Sequence, residues 1–214
     1  MILNACNIIK KFNNQLVLDS IDISIDKNQI ISIQGASGTG KTTFLNILGL
    51  LDIPSYGKVK YYNHLEYDNF NSSKRVNTIG YIFQFHHLLT EFKIIDNLII
   101  PQLLAGKKYR ESNDYAQELL KMLELDYLAN RYSYEISGGE CQRIAVLRGI
   151  INKPEIVFAD EPTGNLDSEN STIIIKLLSD LKDTFQISFV IATHDSYITK
   201  VSNESYYIDN GKLK

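Results

Sequence analysis

One stretch of the sequence decides the fold: IISIQGASGTGKT, at residues 30–42. Its apolar first part, residues 30–33, predicts a buried strand, and Phe44, Leu45 and Leu48 follow at the spacing of a helix. Residues 35–42, between them, match G-x-x-x-x-G-K-[ST], the pattern of a phosphate-binding loop. This loop occurs naturally between a strand and a helix, so the sequence predicts a P-loop nucleotide site.

The chemistry of such a loop explains the residue types. Glycines let successive backbone N–H groups point at phosphate oxygens, and the start of the following helix adds partial positive charge. Lys41 is expected to reach the β- and γ-phosphates, and Thr42 to place its hydroxyl on Mg²⁺. A glycine-rich turn with an exposed lysine is the alternative, and it leaves the strand-to-helix context unexplained. The residues predicted to hold the nucleotide here are Gly35, Ala36, Ser37, Gly38, Thr39, Gly40, Lys41, Thr42 and Thr43.

A pair of carboxylates follows from the same chemistry. The apolar strand predicted at residues 156–159 ends in Asp160-Glu161-Pro162. Two carboxylates at the tip of a buried strand are costly unless a cation or a reacting group needs them. We expect Asp160 to hold Mg²⁺ and Glu161 to orient or deprotonate the attacking water. A capped turn is the alternative for this tripeptide.

Composition limits the remaining possibilities. The chain has 214 residues, 44% of them hydrophobic, which fits one globular domain with an inserted subdomain. A net charge of −3 gives no broad basic face, so no nucleic-acid partner is expected. No signal sequence and no run of about 18 apolar residues is found, so any membrane contact is expected to be made through other chains. Cys6 and Cys141 lack metal-site spacing and are expected to be reduced thiols.

The order of patterns along the chain predicts an α/β fold. Strands are predicted at residues 17–25, 57–62 and 76–83, and helices from 95 to 151, with a break or kink at Pro101. A strand, a helix and a strand follow at 156–159, 173–181 and 187–192, and a hairpin at 205–213. Buried strands that alternate with helices predict a parallel sheet.

The motif order resembles that of the nucleotide-binding subunits of ABC transporters, over nearly the whole chain. The resemblance implies a P-loop NTPase (RecA-like) core with an N-terminal antiparallel β subdomain, at about 1–84 and 152–214, and an inserted helical subdomain at about 85–151. The matching motifs are the phosphate loop, a glutamine loop at Gln84, a signature at residues 136–140, the acidic pair, a D-loop at residues 165–167 and a switch histidine at His194.

The signature implies a site completed by a second subunit. In this family two copies pair head to tail, with ATP between the phosphate loop of one and the signature of the other. Ser137 would donate its hydroxyl, and Gly138 and Gly139 their backbone N–H groups, to the γ-phosphate, with Glu140 ending the motif. An ordinary serine N-cap is the alternative, and on the sequence alone it leaves the second glycine unexplained.

The resemblance also assigns roles to three isolated residues. Gln84 would contact Mg²⁺ or the lytic water, and His194 would contact the γ-phosphate and support Glu161. Phe12 stands where the family has a tyrosine that stacks on adenine, and a phenyl ring keeps that π-face.

Two positions depart from the family pattern. Cys141 stands where arginine or glutamine is common, and Gly149 replaces an alanine in the helix after the signature. Glycine inside a helix costs about 1 kcal/mol relative to alanine.

The subgroup is indicated by the run Phe83-Gln84-Phe85-His86-His87-Leu88-Leu89, which resembles the lipoprotein-releasing type. That likeness implies an ATPase at the cytoplasmic face of the inner membrane, working as a homodimer with integral-membrane permease subunits. The run Pro162-Thr163-Gly164-Asn165-Leu166-Asp167 is shared with macrolide and peptide exporters and with the FtsE-like type that acts in cell division, so both stay open.

Overall fold

The computed structural model describes residues 1–13, 15–62 and 72–214. Within these ranges the strands are β1 (Leu3–Phe12), β2 (Gln15–Ile25), β3 (Ile30–Gln34), β4 (Tyr56–Tyr61), β5 (Ile79–Ile82), β6 (Ile156–Asp160), β7 (Ser188–Ala192), β8 (Glu204–Asp209) and β9 (Lys212–Leu213). The α-helices in the same ranges are α1 (Lys41–Leu48), α2 (Ser72–Thr78), α3 (Ile94–Leu104), α4 (Tyr109–Met122), α5 (Gly138–Ile150), α6 (Ser168–Phe185) and α7 (Ser196–Val201). Single 3₁₀ turns lie at Asp126–Leu128 and Ser133–Glu135.

The N-terminal strands form an antiparallel sheet in the order β2-β1-β4. In β2 the isoleucines at 21, 23 and 25 are buried and the polar residues between them are exposed, as the alternating sequence predicts. This sheet confirms the predicted antiparallel β part of the fold.

The central sheet has the order β5-β6-β7-β3-β8-β9. Its pairs are parallel from β5 to β8, and β9 closes it as the antiparallel partner of β8. β7 is buried at every position, and β3 and β6 at every position but the last, as expected for parallel strands covered by helices on both faces. The predicted α/β fold and the C-terminal hairpin are therefore confirmed.

The predicted start of one strand and the predicted break at Pro101 were wrong, whereas a kink at Pro101 stays a prediction. The strand expected from residue 76 begins only at Ile79, because α2 continues to Thr78, whose carbonyl accepts a hydrogen bond from the N–H of Glu155 and so fixes the start of the pairing. Pro101 does not break α3. Its carbonyl keeps the helical bond from Ala105 and accepts a second from Asn152, 3.1 Å each.

The helices α3, α4 and α5 lie between β5 and β6 in the chain and share an apolar cluster with one face of the central sheet. The close packing of α5 on β5 explains why residue 149 is a glycine, because a Cβ there would lie 2.8 Å from the carbonyl oxygen of Tyr81. The subdomain limits near residues 85 and 151 stay a prediction. No helix of the described ranges is long and apolar enough to cross a membrane.

Candidate active site

The phosphate loop joins the buried end of β3 to the start of α1. Gly35 has φ of 151°, and a Cβ there would lie 2.6 Å from the carbonyl oxygen of Ile208. Gly40 has φ of 101° and packs against Val17 and Leu18. Backbone of this kind favours glycine, so the sequence pattern and the observed turn agree.

Backbone carbonyl groups of the phosphate loop hold the side chain of Lys41. Its ammonium donates to the carbonyl oxygens of Gly35 at 2.9 Å and of Ala36 at 3.1 Å. The same nitrogen lies 3.9 Å from Oε1 of Glu161. The charged end of Lys41 therefore stands between the loop and the acidic pair.

Thr42 and the first carboxylate meet directly. Oγ1 of Thr42 donates to Oδ2 of Asp160 at 2.7 Å. Burial raises the pKa of Asp160 above its ordinary value and the charge of Glu161 adds to the rise, whereas the Thr42 hydrogen bond opposes it. The two side chains, 118 positions apart in the chain, present a hydroxyl and a carboxylate at one point.

The second carboxylate contacts the predicted switch histidine. Nδ1 of His194 lies 2.8 Å from Oε2 of Glu161, and the backbone N–H of His194 donates to the same oxygen at 3.3 Å. The His194 side chain is 72% exposed and that of Glu161 only 13%. Glu161 has φ of 46°, a sparsely populated conformation for glutamate that is found at functional sites.

Gln84 follows β5 at the rim of the same site. Its carbonyl accepts a hydrogen bond from Asn165 at 3.2 Å. A Cβ on Gly164 would lie 3.3 Å from Cβ of Glu161 and 3.7 Å from Nε2 of Gln84. The small residue at 164 therefore lets the glutamine loop and the acidic pair come together.

These groups surround one cleft of about 640 Å³, a volume typical of ligand sites. Phe12, 48% exposed, forms one wall, with the ammonium of Lys10 lying 4.8 Å from its ring centroid. Val17 also lines the cleft and was missed from the sequence, since no motif contains it. The predicted residues on the lining are Phe12, Gly35, Ala36, Ser37, Gly38, Gly40, Lys41, Thr42, Thr43, Gln84, Asp160, Glu161 and His194.

Five predicted site residues do not line this cleft: Thr39, Ser137, Gly138, Gly139 and Glu140. Thr39 donates instead to the carbonyl oxygen of Ala36, at 2.9 Å. The four signature residues lie at the start of α5, where Ser137 is the N-cap.

The signature forms a complete capping box. Oγ and the backbone N–H of Ser137 donate to Oε2 of Glu140, at 2.7 and 2.8 Å, and the N–H of Glu140 donates back to Oγ at 3.3 Å. The other carboxylate oxygen, Oε1, accepts from the hydroxyl of Tyr127 at 2.6 Å. The alternative interpretation of Ser137 as a helix N-cap is therefore confirmed as a description of the local structure.

The two signature glycines differ. A Cβ on Gly139 would lie 2.1 Å from Oδ1 of Asn170, so a larger residue there would have to displace this hydrogen-bonded side chain, and packing within the chain favours the second glycine. A Cβ on Gly138 would meet nothing within 4 Å, and its φ is not in the left-handed region. The first glycine, not the second, is the one that the described part of the chain leaves unexplained.

A glycine-rich loop that opens a helix, next to a strand that ends in two carboxylates, defines the class of P-loop nucleoside triphosphatases. The family model described as "ABC transporter" matches residues 18–164, more than half of the chain. The chain therefore belongs to the ABC transporter family, as one of its nucleotide-binding, ATP-hydrolysing subunits.

Relatives of known name and solved structures agree with this. The chain is 45% identical to the lipoprotein-releasing system ATP-binding protein LolD of Blochmanniella floridana, over 100% of this chain and 94% of that protein. It is 41% identical to the LolD protein of Cytophaga hutchinsonii, over 99% and 98%. The dimeric post-hydrolysis structure of the ATP-binding cassette MJ0796, bound to ADP and Pi, matches with a TM-score of 0.87 and 30% identity, over 99% of this chain and 96% of that one.

Proposed function

We propose that the protein is the ATPase of a lipoprotein-releasing ABC transporter and drives release of lipoproteins from the bacterial inner membrane. One observation supports ATP hydrolysis: five predicted site residues from distant parts of the sequence meet in a single cleft. Thr42 lies within 4 Å of Asp160, and both Lys41 and His194 lie within 4 Å of Glu161. The cargo is proposed from the names of full-length relatives.

ATP is proposed to lie along the cleft with its base on Phe12 and its phosphates in the loop at residues 35–43. The half-exposed ring of Phe12 offers a π-face to adenine. Backbone N–H groups of the loop and the N-terminus of α1 would hold the phosphates, and Lys41 would turn from its carbonyl partners to the β- and γ-phosphates.

The donors at the base of the cleft fit Mg²⁺. Thr42 and Asp160 offer a hydroxyl and a carboxylate oxygen 2.7 Å apart, and Gln84 on the lining can add an amide oxygen. Hard oxygen ligands in small number, together with substrate phosphates, are what Mg²⁺ takes in such enzymes. When bound, the ion would neutralise phosphate charge in the transition state.

Hydrolysis is proposed to use Glu161 as the base. Its carboxylate would accept a proton from the water whose oxygen attacks the γ-phosphorus, while the bond from that phosphorus to the β-γ bridging oxygen breaks. ADP leaves with the bonding electron pair, and the proton passes from Glu161 to the phosphate product. His194, 2.8 Å from Oε2, would fix the carboxylate and contact the γ-phosphate.

The remaining half of the site is proposed to come from a second copy of the chain, paired head to tail. Ser137, Gly138 and Gly139 lie outside the cleft of their own chain, and no packing contact within residues 1–13, 15–62 and 72–214 requires glycine at 138. A γ-phosphate approached by the partner's backbone supplies that reason, since a methyl group there would keep the two apart.

Permease partners, LolC/LolE-like in this proposal, would dock beside the glutamine loop and hold the ATPase at the cytoplasmic face of the inner membrane. Phe85 is 62% exposed there, and Leu89 is also exposed. Arg148 of α5 donates to the backbone carbonyls of His86 and His87, at 2.7 and 2.6 Å. Movement of this loop is therefore linked to the helix that carries the signature.

The enzymatic proposal is tested with Glu161→Gln. This variant should still bind ATP, because the amide keeps the shape of the side chain and leaves the phosphate loop intact, and should lose at least 90% of turnover, a modest part of the effect expected of a general base. Glu169→Gln, in the exposed first turn of α6, is the matched control and should keep full activity. Near-normal hydrolysis by Glu161→Gln would refute its assignment.

The cargo is tested by depletion in the native cell. Loss of the protein should leave lipoproteins in the inner-membrane fraction, and purification should recover two permease chains with it. Normal lipoprotein sorting, with either a division defect or macrolide sensitivity instead, would favour the FtsE-like or the exporter type.

A further inference from the structure

The carboxylate of Glu140 is shared between two donors on different segments. Oε2 takes both hydrogen bonds of Ser137, whereas Oε1 takes the hydroxyl of Tyr127 at 2.6 Å. Tyr127 belongs to the 3₁₀ turn Asp126–Leu128, which precedes the signature in the chain, and no motif of the sequence includes it.

Under the proposed function, which this inference presupposes, Ser137 has a second task. Its hydroxyl must donate to the γ-phosphate bound by the partner subunit, but a hydroxyl has one proton. In the single chain that proton is directed to Glu140, at 2.7 Å. Closure of the dimer therefore requires Ser137 to release the carboxylate.

A Glu140 carboxylate that no longer accepts the Ser137 hydroxyl would repel the bound ATP. Hydrogen bonds from Tyr127 and from Ser137 lower the pKa of Glu140, so it is negatively charged at neutral pH. It would then stand near a triphosphate of the same sign, where an unrestrained anion weakens binding.

We infer that Tyr127 is a positioning residue for the shared ATP site: its hydroxyl holds the Glu140 carboxylate on its own subunit and so frees the Ser137 proton for the γ-phosphate. Tyr127 contacts no substrate. It acts by keeping Oε1 of Glu140 bonded while Oε2 loses the serine hydroxyl and keeps only the backbone N–H of Ser137.

The geometry makes the inference easy to test. Tyr127 is 61% exposed, so Tyr127→Phe removes the donor without disturbing the core. Tyr134→Phe is the matched control, because Tyr134 lies in the neighbouring 3₁₀ turn, is similarly exposed, and its hydroxyl makes no hydrogen bond within the described residues.

The experiment measures ATP-dependent dimer formation in the Glu161→Gln background, by sedimentation at graded protein concentration. Tyr127→Phe should raise the dimer dissociation constant about 25-fold, because the dimer has two signatures and the loss of one ordinary hydrogen bond at each weakens it about fivefold. The affinity of the single chain for a fluorescent ATP analogue should not change, because the phosphate loop is intact. Tyr134→Phe should match the parent in both measurements.

Glu140→Gln separates positioning from general destabilisation. An uncharged amide at position 140 holds the Ser137 hydroxyl less strongly than the carboxylate does. The double variant Glu140→Gln/Glu161→Gln should therefore dimerise at least as tightly as Glu161→Gln alone. Adding Tyr127→Phe to it should then change the dissociation constant less than twofold.

Two results would overturn the inference. Tyr127→Phe could dimerise as tightly as its parent, or it could raise the dimer dissociation constant by the same factor whether residue 140 is Glu or Gln. Failure of the proposed function looks different, because then the Glu161→Gln parent itself would form no ATP-dependent dimer.

Discussion

Substitution of Gly138 by alanine separates what the chain needs for itself from what it needs for ATP. No atom of the described residues lies within 4 Å of the added methyl group, and Gly138 is the first residue of α5. Alanine is the better helix former by up to about 1 kcal/mol, so the free energy of unfolding should stay equal or rise by up to that amount. ATP turnover should nevertheless fall about a hundredfold, the usual loss when one phosphate-directed N–H is displaced.

Gly139→Ala is the contrasting variant. Its methyl group would displace the Asn170 amide, which donates to both carboxylate oxygens of Asp167, at 3.1 and 3.0 Å. Loss of these bonds should lower the free energy of unfolding, whereas Gly138→Ala should not.

Urea unfolding and steady-state ATP hydrolysis, on both variants and the parent, give the required pair of numbers. Gly138→Ala with wild-type turnover would refute a role for this glycine at the phosphate. A loss of stability above 1 kcal/mol in Gly138→Ala would instead mean that packing within the chain, not a partner's ATP, explains the residue.

Further substitutions test the contact of β5 with α5, the adenine site at Phe12 and the capping box at Glu140. Gly80→Ala should lower the free energy of unfolding by about 3 kcal/mol, because its Cβ would lie 2.1 Å from the backbone oxygen of Gly149; thermal unfolding near the parent value would contradict the close contact of β5 and α5. Phe12→Leu should weaken ATP binding about tenfold by loss of stacking, whereas Phe12→Tyr should not, as calorimetry can check; equal affinities would remove Phe12 from the base site. The lowered pKa of Glu140 means that its contribution to stability is present above the ordinary carboxyl pKa and is lost as pH falls through the lowered one. Glu140→Gln should therefore lose less stability than the parent between pH 7 and pH 3, and parallel urea midpoints would refute the contribution of the cap.

The phosphate loop and the acidic pair could be predicted because each is contiguous in sequence and its chemistry is written in its residue types. Thr42 and Asp160 were assigned to one Mg²⁺ on those grounds, and the structure brings them to 2.7 Å. The central strands β3, β6 and β7 were equally plain, since strands buried on both faces are largely apolar.

What the sequence misjudged depends on contacts between distant segments. Gly149 looks like a weak point of a helix until the backbone of β5 is seen against it, and Pro101 looks like a break although α3 continues through it and Asn152 donates to its carbonyl. The second signature glycine was thought unexplained, although Asn170 explains it. In each case the deciding neighbour lies more than 30 positions away in the chain, where no local pattern can reveal it.

In the proposed enzyme two copies of the chain share ATP between the cleft of one and the signature of the other. The most direct test is the mass and nucleotide content of Glu161→Gln by analytical ultracentrifugation, with ATP and Mg²⁺ and without. We predict one chain without ATP, two chains with two bound nucleotides in its presence, and one chain again when Gly138→Ala is added. A species that binds ATP to saturation and stays a single chain at every concentration would contradict the claim.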